Sequence, residues 1–298
     1  MYKYLSKGIP YLFLIPAFVF LAVFFFIPFF QTIQISFQDF SDIYNPNFVS
    51  FENYKALFAQ KSFVSSILNT FWFMILCVPF LVIFPLFLAI LINQKIRGVT
   101  LYKLLIYIPV VISIVVVAIA FKWLYAESGL LNYFLSLFNL PALGWLTDPR
   151  IAMISVALVT VFKGVGYYMM IYLSSLIGVP KDLYEQAQID GAGEFQKHMT
   201  VTVPHLMPTI ALVATISSIS ALKVFVEIYV MTRGGPMEST KTIVYYIYEH
   251  AFEKLDLGLA SAGAVVLLVL TLAFSLVNLY CFERKKYDLW SQAFWKDF

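Results

Sequence analysis

The sequence predicts an all-α membrane protein, and three observations predict it. Apolar residues make up 61% of the 298 residues and charged residues 12%, against about 45–50% and about 25% in soluble globular domains. Apolar runs long enough to cross a bilayer recur along the whole chain. The few Lys and Arg residues fall mostly between those runs and unevenly on the two sides they define. A water-soluble chain with this composition could not cover its surface with charge. The mean hydropathy of +0.83 agrees.

A hydrocarbon core of about 30 Å requires about 20 helical residues. Six runs meet that length: 10–34, 65–92, 104–124, 151–176, 208–230 and 258–282. The first reads YLFLIPAFVFLAVFFFIPFF, and Pro16 and Pro28 should bend or end helix locally. It is too long for the apolar part of a signal peptide and lacks a small-residue cleavage site. The second carries Pro79 and Pro85, which a bundle tolerates when neighbours satisfy the freed carbonyls. Asp148–Pro149 reads as a turn before the fourth. The fifth, ATISSISALKVFVEIYV, is the most polar and suits a helix facing protein or a solute path. A β-barrel would need alternating segments of about ten residues; these runs are longer and continuously apolar.

With the N-terminus placed in the cytoplasm, that side holds eleven cationic residues: Lys3, Lys7, Lys95, Arg97, Lys103, Lys181, Lys197, Arg284, Lys285, Lys286 and Lys296. The outer segments hold six, Lys55, Lys61, Arg150, Arg233, Lys241 and Lys254. The bias places both termini inside. A net charge of +3 gives no concentrated basic surface for nucleic acid. Cys77 and Cys281 lie in apolar stretches and read as small buried hydrophobes. His198, His205 and His250 form no metal triad, and no nucleophile motif stands beside a base. No catalytic residue and no metal site are expected.

The long inner segment, 177–206, includes VPKDLYEQAQIDGAGEFQKHMTVTVPHL. Pro180 can open a helix because its missing N–H costs nothing there. Asp182 and Glu185 favour the positive helix N-terminus. Gly191 can end the helix in a left-handed conformation, and a second short helix can start near Ala192. Leu183, Ala187 and Ile189 form an incomplete apolar face, and Phe195 and Met199 an i,i+4 pair. On these grounds the element either docks into a groove on a partner or rests on the bundle as a surface loop.

The same residues resemble the EAA loop of bacterial ABC-importer permeases. Glu185, Gln186, Ala187, Asp190, Gly191, Ala192, Phe195, Pro204, Leu206 and Pro208 follow its pattern, with Gln186 where Ala is usual. The block MTRGGPMESTKTIVYYIYEHAF, with Thr232, Gly234, Gly235 and Pro236 at its core, is similar to the stretch before the last span of carbohydrate-type permeases. FKGVGYYMMIYLSSLIGVP and the opening YLFLIPAFVF also look family-like.

The resemblance implies a six-helix permease bundle of the maltose-importer type, as a single transmembrane domain in the bacterial plasma membrane. It also implies a second homologous permease subunit, two cytoplasmic ATPase subunits and an extracellular solute-binding protein, all working around membrane lipid. No G-x-x-x-x-G-K-[ST] sequence occurs, so this chain binds no cofactor and ATP and Mg belong to the partner subunits. Glu185, Gln186, Ala187, Asp190, Gly191, Ala192 and Phe195 then form the coupling core, with Phe195 anchoring the second short helix. For a sugar path the candidates are Asn69, Trp72, Trp123, Tyr167, Tyr168, Lys223, Phe225, Glu227 and Tyr229, each of which ordinary packing explains equally well. Lys223 and Glu227 are spaced i,i+4 and can form a pair within the bundle, and Lys122 and Lys163 can snorkel. The alternative function is a secondary transporter of a small polar solute, which would use Lys223 and Glu227 at the midplane. The sequence shows no inverted repeat to support it.

Overall fold

The computed structural model describes residues 2–40, 46–94 and 98–294, with side chains for 11–40, 46–94 and 98–280. Lys95, Arg97 and Lys296 of the expected inner charge cluster lie outside the described residues, as do the side chains of Lys3, Lys7, Cys281, Arg284, Lys285 and Lys286. The helices in chain order are α1 (Tyr2–Leu21), α2 (Ile27–Ile35), α3 (Glu52–Ala59), α4 (Lys61–Ile92), α5 (Val99–Val111), α6 (Ile114–Leu124), α7 (Leu130–Leu137), α8 (Ala152–Leu176), α9 (Lys181–Ile189), α10 (Glu194–Lys197), α11 (Val203–His205), α12 (Met207–Leu222), α13 (Val226–Met231), α14 (Ile243–Tyr248) and α15 (Leu257–Phe294). Strands β1 (Gln38–Asp39) and β2 (Asn47–Phe48) pair antiparallel, Gln38 opposite Phe48.

Four helical stretches are long and apolar enough to cross a membrane: Tyr11–Ile35, Lys61–Ile92, Ala152–Leu176 and Leu257–Tyr280. Two expected spans are instead broken. The run 104–124 falls on α5 and α6, which meet at 95°. Ile112 and Ser113 at the bend are extended, with ψ of 139° and 136°. Pro109 removes a donor from the last turn of α5, and the β-branched run that follows favours extended backbone. The run 208–230 also fails as one helix. α12 ends at Leu222, and helix resumes only at Val226 after Lys223 and Phe225 leave helical geometry. At its other end α12 meets the Glu194–His205 helix at 69°. The prolines of α4 do not interrupt it. In the first span, the five-residue π turn Ala22–Phe26 sits just before Pro28, where the missing proline N–H disturbs the helical ladder.

The chain divides into two compact units. One comprises the N-terminal segment to Phe63 together with Tyr246–Val269. Within it, the Asn53 amide donates to the Ser36 and Gln38 carbonyls at 3.0 and 2.9 Å, and Ser36 Oγ meets Tyr54 Oη at 2.7 Å. Tyr246 donates its hydroxyl to Gln60 Oε1 at 2.6 Å and stacks on His250 with ring centroids 4.0 Å apart. His250 Nδ1 lies 3.0 Å from the Tyr246 carbonyl, and Lys254 Nζ lies 3.4 Å from His250 Nε2. Lys254 also pairs with Glu249 at 3.0 Å.

The other unit comprises Val64–Tyr245 and the chain from Leu270. Helix α8 is its hub, packing against α5, α6, α12 and α13. Phe73 and Cys77 of α4, Val156, Met169 and Tyr172 of α8, Val213 and Leu222 of α12 and Ile228 of α13 are fully buried. Gly166 brings α8 against α5 so closely that a Cβ there would strike the Ile106 carbonyl. A Cβ at Gly164 would meet the Leu81 side chain at 2.8 Å, and that side chain can turn away.

Two predictions follow from this packing. Gly166→Ala should cost about 1–3 kcal/mol, and Gly164→Ala less, because only the latter collides with a movable group; melting temperatures of the detergent-solubilised protein rank the two. Burial pushes the His250 imidazole below its ordinary value, and Lys254 adds to the effect against the Tyr246 carbonyl, Glu249 and Asp256. The unfolded chain therefore binds the proton first, and stability falls as pH drops from about 6.5 toward the lower folded value. His250→Gln should flatten that acid slope in melting curves taken across the window.

Candidate functional site

The inner segment folds as a braced pair of short helices. Helix α9 starts immediately after Pro180 and ends at Asp190. Gly191 follows with φ of 81°. Its N–H donates to the Gln188 carbonyl at 3.1 Å, and the Ala192 N–H donates to the Ala187 carbonyl at 3.0 Å. These two bonds are a Schellman closure, which requires the left-handed residue. The spacing Ala187-x-x-Asp190-Gly191-Ala192 is thus a stop signal in which the two alanines are the residues joined across the turn. Gln196 then accepts the Gly193 N–H at 3.0 Å, opening the second helix. Lys197 reaches Glu194 at 2.8 Å and Gln188 Oε1 at 3.2 Å, tying the second helix to the first. That ammonium holds the exposed Glu194 carboxyl below the usual carboxylate range. Thr202 Oγ1 meets both Tyr184 Oη at 2.7 Å and His198 Nδ1 at 3.0 Å.

What the brace presents outward is apolar. Ile189 is 86% exposed and Phe195 73%, while Leu183 and Met199 are also exposed. Phe195 therefore does not anchor the second helix within this chain: hydrogen bonds from Lys197, Gln196 and Thr202 hold the element, and the ring is left free. Glu185, Gln186 and Asp190 are exposed, and Ala187 and Ala192 partly buried.

A second feature is a cavity of about 520 Å³ among α4, α5, α6, α8 and the broken end of α12. Its polar lining comprises Thr160, Lys163, Ser217, Ser220, Lys223 and Glu227, with Tyr167, Tyr168 and Phe225 as rings. Thr160 Oγ1 donates to Glu227 Oε1 at 3.2 Å. Lys163 Nζ donates to the Val110 carbonyl at 3.1 Å, at the end of α5 where the bend leaves no following turn to serve it. Phe225 stacks on Tyr229 at 5.4 Å and on Tyr245 at 6.5 Å. The Arg233 guanidinium lies 5.9 Å over the Tyr229 ring.

Of the nine path candidates, the cavity gathers Tyr167, Tyr168, Lys223, Phe225 and Glu227. Tyr229 stands behind Phe225. Asn69 donates to the Glu238 and Lys241 carbonyls at 2.9 and 3.0 Å and so braces the segment after α13. Trp72 and Trp123 are exposed and outside the cavity. Lys223 and Glu227 form no ion pair among the described residues, because the break between α12 and α13 removes the helical spacing that would join them. Thr160 and Ser220 were not singled out in the sequence. Thr160, Lys163, Gly164 and Tyr167 follow i, i+3, i+4, i+7, a helical stripe that could have found the α8 face.

The Thr232–Pro236 block is a compact turn. Arg233, Gly234, Met237 and Glu238 have positive φ, and the Gly235–Pro236 peptide is cis. Thr240 closes it, donating its hydroxyl to the Gly235 carbonyl and meeting Thr232 Oγ1, both at 2.7 Å.

Residues 54–286 match the family model for the binding-protein-dependent transport system inner membrane component. The probable ABC transporter permease protein YurN of Bacillus subtilis is 37% identical over 290 residues, covering 94% of this chain and 98% of its own. The trehalose/maltose transport system permease protein MalF of Thermococcus litoralis is 30% identical over 279 residues, covering 93% and 94%. One chain of a bacterial ABC transporter that imports the acidic polysaccharide alginate superposes with a TM-score of 0.85 at 26% identity, covering 95% of this chain and 98% of that one.

The Schellman closure makes its own prediction. A Cβ at Gly191 meets nothing within 4 Å, so the cost of Gly191→Ala is backbone strain alone, about 1 kcal/mol. Hydrogen exchange at the Gly191 and Ala192 amides should quicken roughly fivefold, and further in Gly191→Val.

Proposed function

This chain belongs to the family of binding-protein-dependent transport system inner membrane components, and on that premise we propose how it works as the permease of its importer. It is the non-catalytic transmembrane component of an ABC-type importer for a polar solute delivered by a binding protein. The α5–α6 pair counts as one crossing and α12 with α13 as another, giving six spans with both termini in the cytoplasm; the Lys and Arg bias supports that orientation. The helix pair from Lys181 to His205 docks into a cytoplasmic ATPase. Two such ATPases serve this chain and a second, homologous permease.

The observation that carries this reading is the exposed apolar face of Ile189, Phe195 and Met199 on a hydrogen-bonded brace. A surface loop with no partner would turn these side chains inward. Glu185, Gln186 and Asp190 form a polar rim beside that face. Ala187 and Ala192 keep the turn slim enough for close approach, and Gly191 allows it to form. The cavity beside the α12 break forms part of the solute path, with Phe225 offering a platform for a sugar ring and the hydroxyls of Thr160 and Ser220 offering polar partners. Relatives named for trehalose and maltose, arabinooligosaccharides and alginate support a carbohydrate solute. They span neutral and acidic sugars, so the class leaves the charge of the solute open.

The test is the ATPase rate of the purified complex, with and without solute-loaded binding protein. Stimulation in the wild type is expected. Phe195→Asp should weaken ATPase attachment by about 2 kcal/mol, roughly thirtyfold, and abolish stimulation. An unstimulated wild-type complex that still transports solute would overturn the reading, and so would a Phe195→Asp complex that couples normally.

A further inference from the structure

We propose that Lys223 recognises an anionic group on the solute, so that this importer carries an acidic sugar or polyol bearing a carboxylate, phosphate or sulfonate. The proposal rests on the importer reading above and extends it to the charge of the cargo.

Lys122, Lys163 and Lys223 lie near the α5–α6 and α12–α13 breaks, and two of them have protein acceptors. Lys122 donates to the Val230 carbonyl at 3.3 Å, in the last turn of α13. Lys163 donates to the Val110 carbonyl at the end of α5. Lys163 completes backbone that the α5–α6 bend leaves open, and Lys122 serves the carbonyl end of α13. Lys223 has no such task. It occupies the C-cap position of α12, where the helix dipole favours a cation, and it lines the cavity. No hydrogen bond or ion pair to its ammonium is found among the described residues. The carbonyl exposed beside it, that of Val224, is already served by Thr242 Oγ1 at 3.2 Å.

The one carboxylate in the lining does not answer it. Glu227 accepts from Thr160 and sits on α13, beyond the break. The lining thus holds two cations, Lys163 and Lys223, against one anion, Glu227. Lys223 is exposed where it lines the cavity, so its ammonium is open to a bound solute, and an ionisable side chain on a membrane helix without a protein partner points to a functional counter-charge. The rest of the lining fits a polyhydroxyl frame around that charge. Phe225 presents a face backed by Tyr229, and the Ser220 hydroxyl stands one turn before the break. The volume falls within the roughly 300–1,000 Å³ typical of small-molecule sites. The Lys223 ammonium is a compact charge with three donors on a flexible stem, which can follow a terminal oxyanion.

The experiment uses the complete importer, reconstituted in liposomes with its binding protein. Matched probes are galacturonate and galactose oligomers, and glycerol 3-phosphate and glycerol. In the wild type, only an anionic member of a pair should raise the ATPase rate and enter the vesicles. Lys223→Gln should lower uptake of that solute at least tenfold, each rate being referred to the variant's own unstimulated ATPase rate. Lys223→Arg should retain most of the uptake, and added salt should lower uptake in the wild type more than in Lys223→Gln. Three results would overturn the proposal. Lys223→Gln could carry the anionic solute at the wild-type rate. The wild type could be stimulated by a neutral sugar. Or Lys223→Gln could lose the second permease on purification, which would make Lys223 a subunit contact. A wild-type complex that hydrolyses ATP without response to any loaded binding protein would remove the importer reading as well, and that outcome appears before any substitution is made.

Discussion

A helix that breaks inside a bilayer exposes carbonyls that water cannot reach, and a donor from another segment must serve them. That constraint organises the unit from Val64 to Tyr245. Lys163 of α8 serves the end of α5, Lys122 of α6 serves the end of α13, and Thr242 serves the gap after α12. Asn69 of α4 bridges two carbonyls of the turn after α13, and Thr70 accepts the Ile243 N–H at 3.0 Å. Each bond joins elements far apart in sequence. The breaks are held in one geometry by the bundle, and the cavity is the space they leave.

The inner helix pair obeys the same accounting at the water boundary. Its turn satisfies the orphan carbonyls of α9 through Gly191 and Ala192, so no other part of the chain is needed to hold it. Self-sufficiency of this kind frees the apolar side chains. Ile189 and Phe195 can face outward because the fold of the element does not depend on burying them. On the docking reading proposed above, the element keeps its shape before a partner arrives, because side-chain and backbone hydrogen bonds provide that shape.

What could be read from the sequence divides along the same line. Local codes were legible. The apolar runs located the four continuous membrane-length helices, and Pro180 and Gly191 bounded α9 by conformational preferences that need no tertiary context. The bend at Ile112–Ser113 was not read, although Pro109 and the β-branched run marked it. The break at Lys223–Phe225 carries no proline or glycine at all; its Val224 carbonyl is served by Thr242, a distant residue whose partnership no local pattern announces. For the same reason Lys163 read as a snorkelling side chain when its acceptor is Val110, and Phe195 read as an anchor when Lys197 and Gln196 already close the turn. Five of the nine path candidates meet at one cavity because they were chosen as polar or aromatic residues in membrane helices, and α8 and the α12 break are where such residues converge. Asn69 satisfied that criterion too, but its amide serves the backbone.

Helix α12 connects the two features. It begins at Met207, directly after the 69° bend from the inner helix pair, and ends at Leu222, directly before Lys223 and the cavity. Its 16 residues form a rod of about 24 Å at about 1.5 Å per residue. The rod contains no proline beyond its first turn and no glycine, so it has no internal hinge. Movement of the inner pair can therefore pass along α12 without being absorbed on the way, and it emerges at the break that forms the cavity wall. The break itself is the compliant point, since only a few residues there lack helical geometry. On the importer reading proposed above, a rigid rod between the inner helix pair and a compliant cavity wall would let work done on that pair change the cavity without any chemistry in this chain.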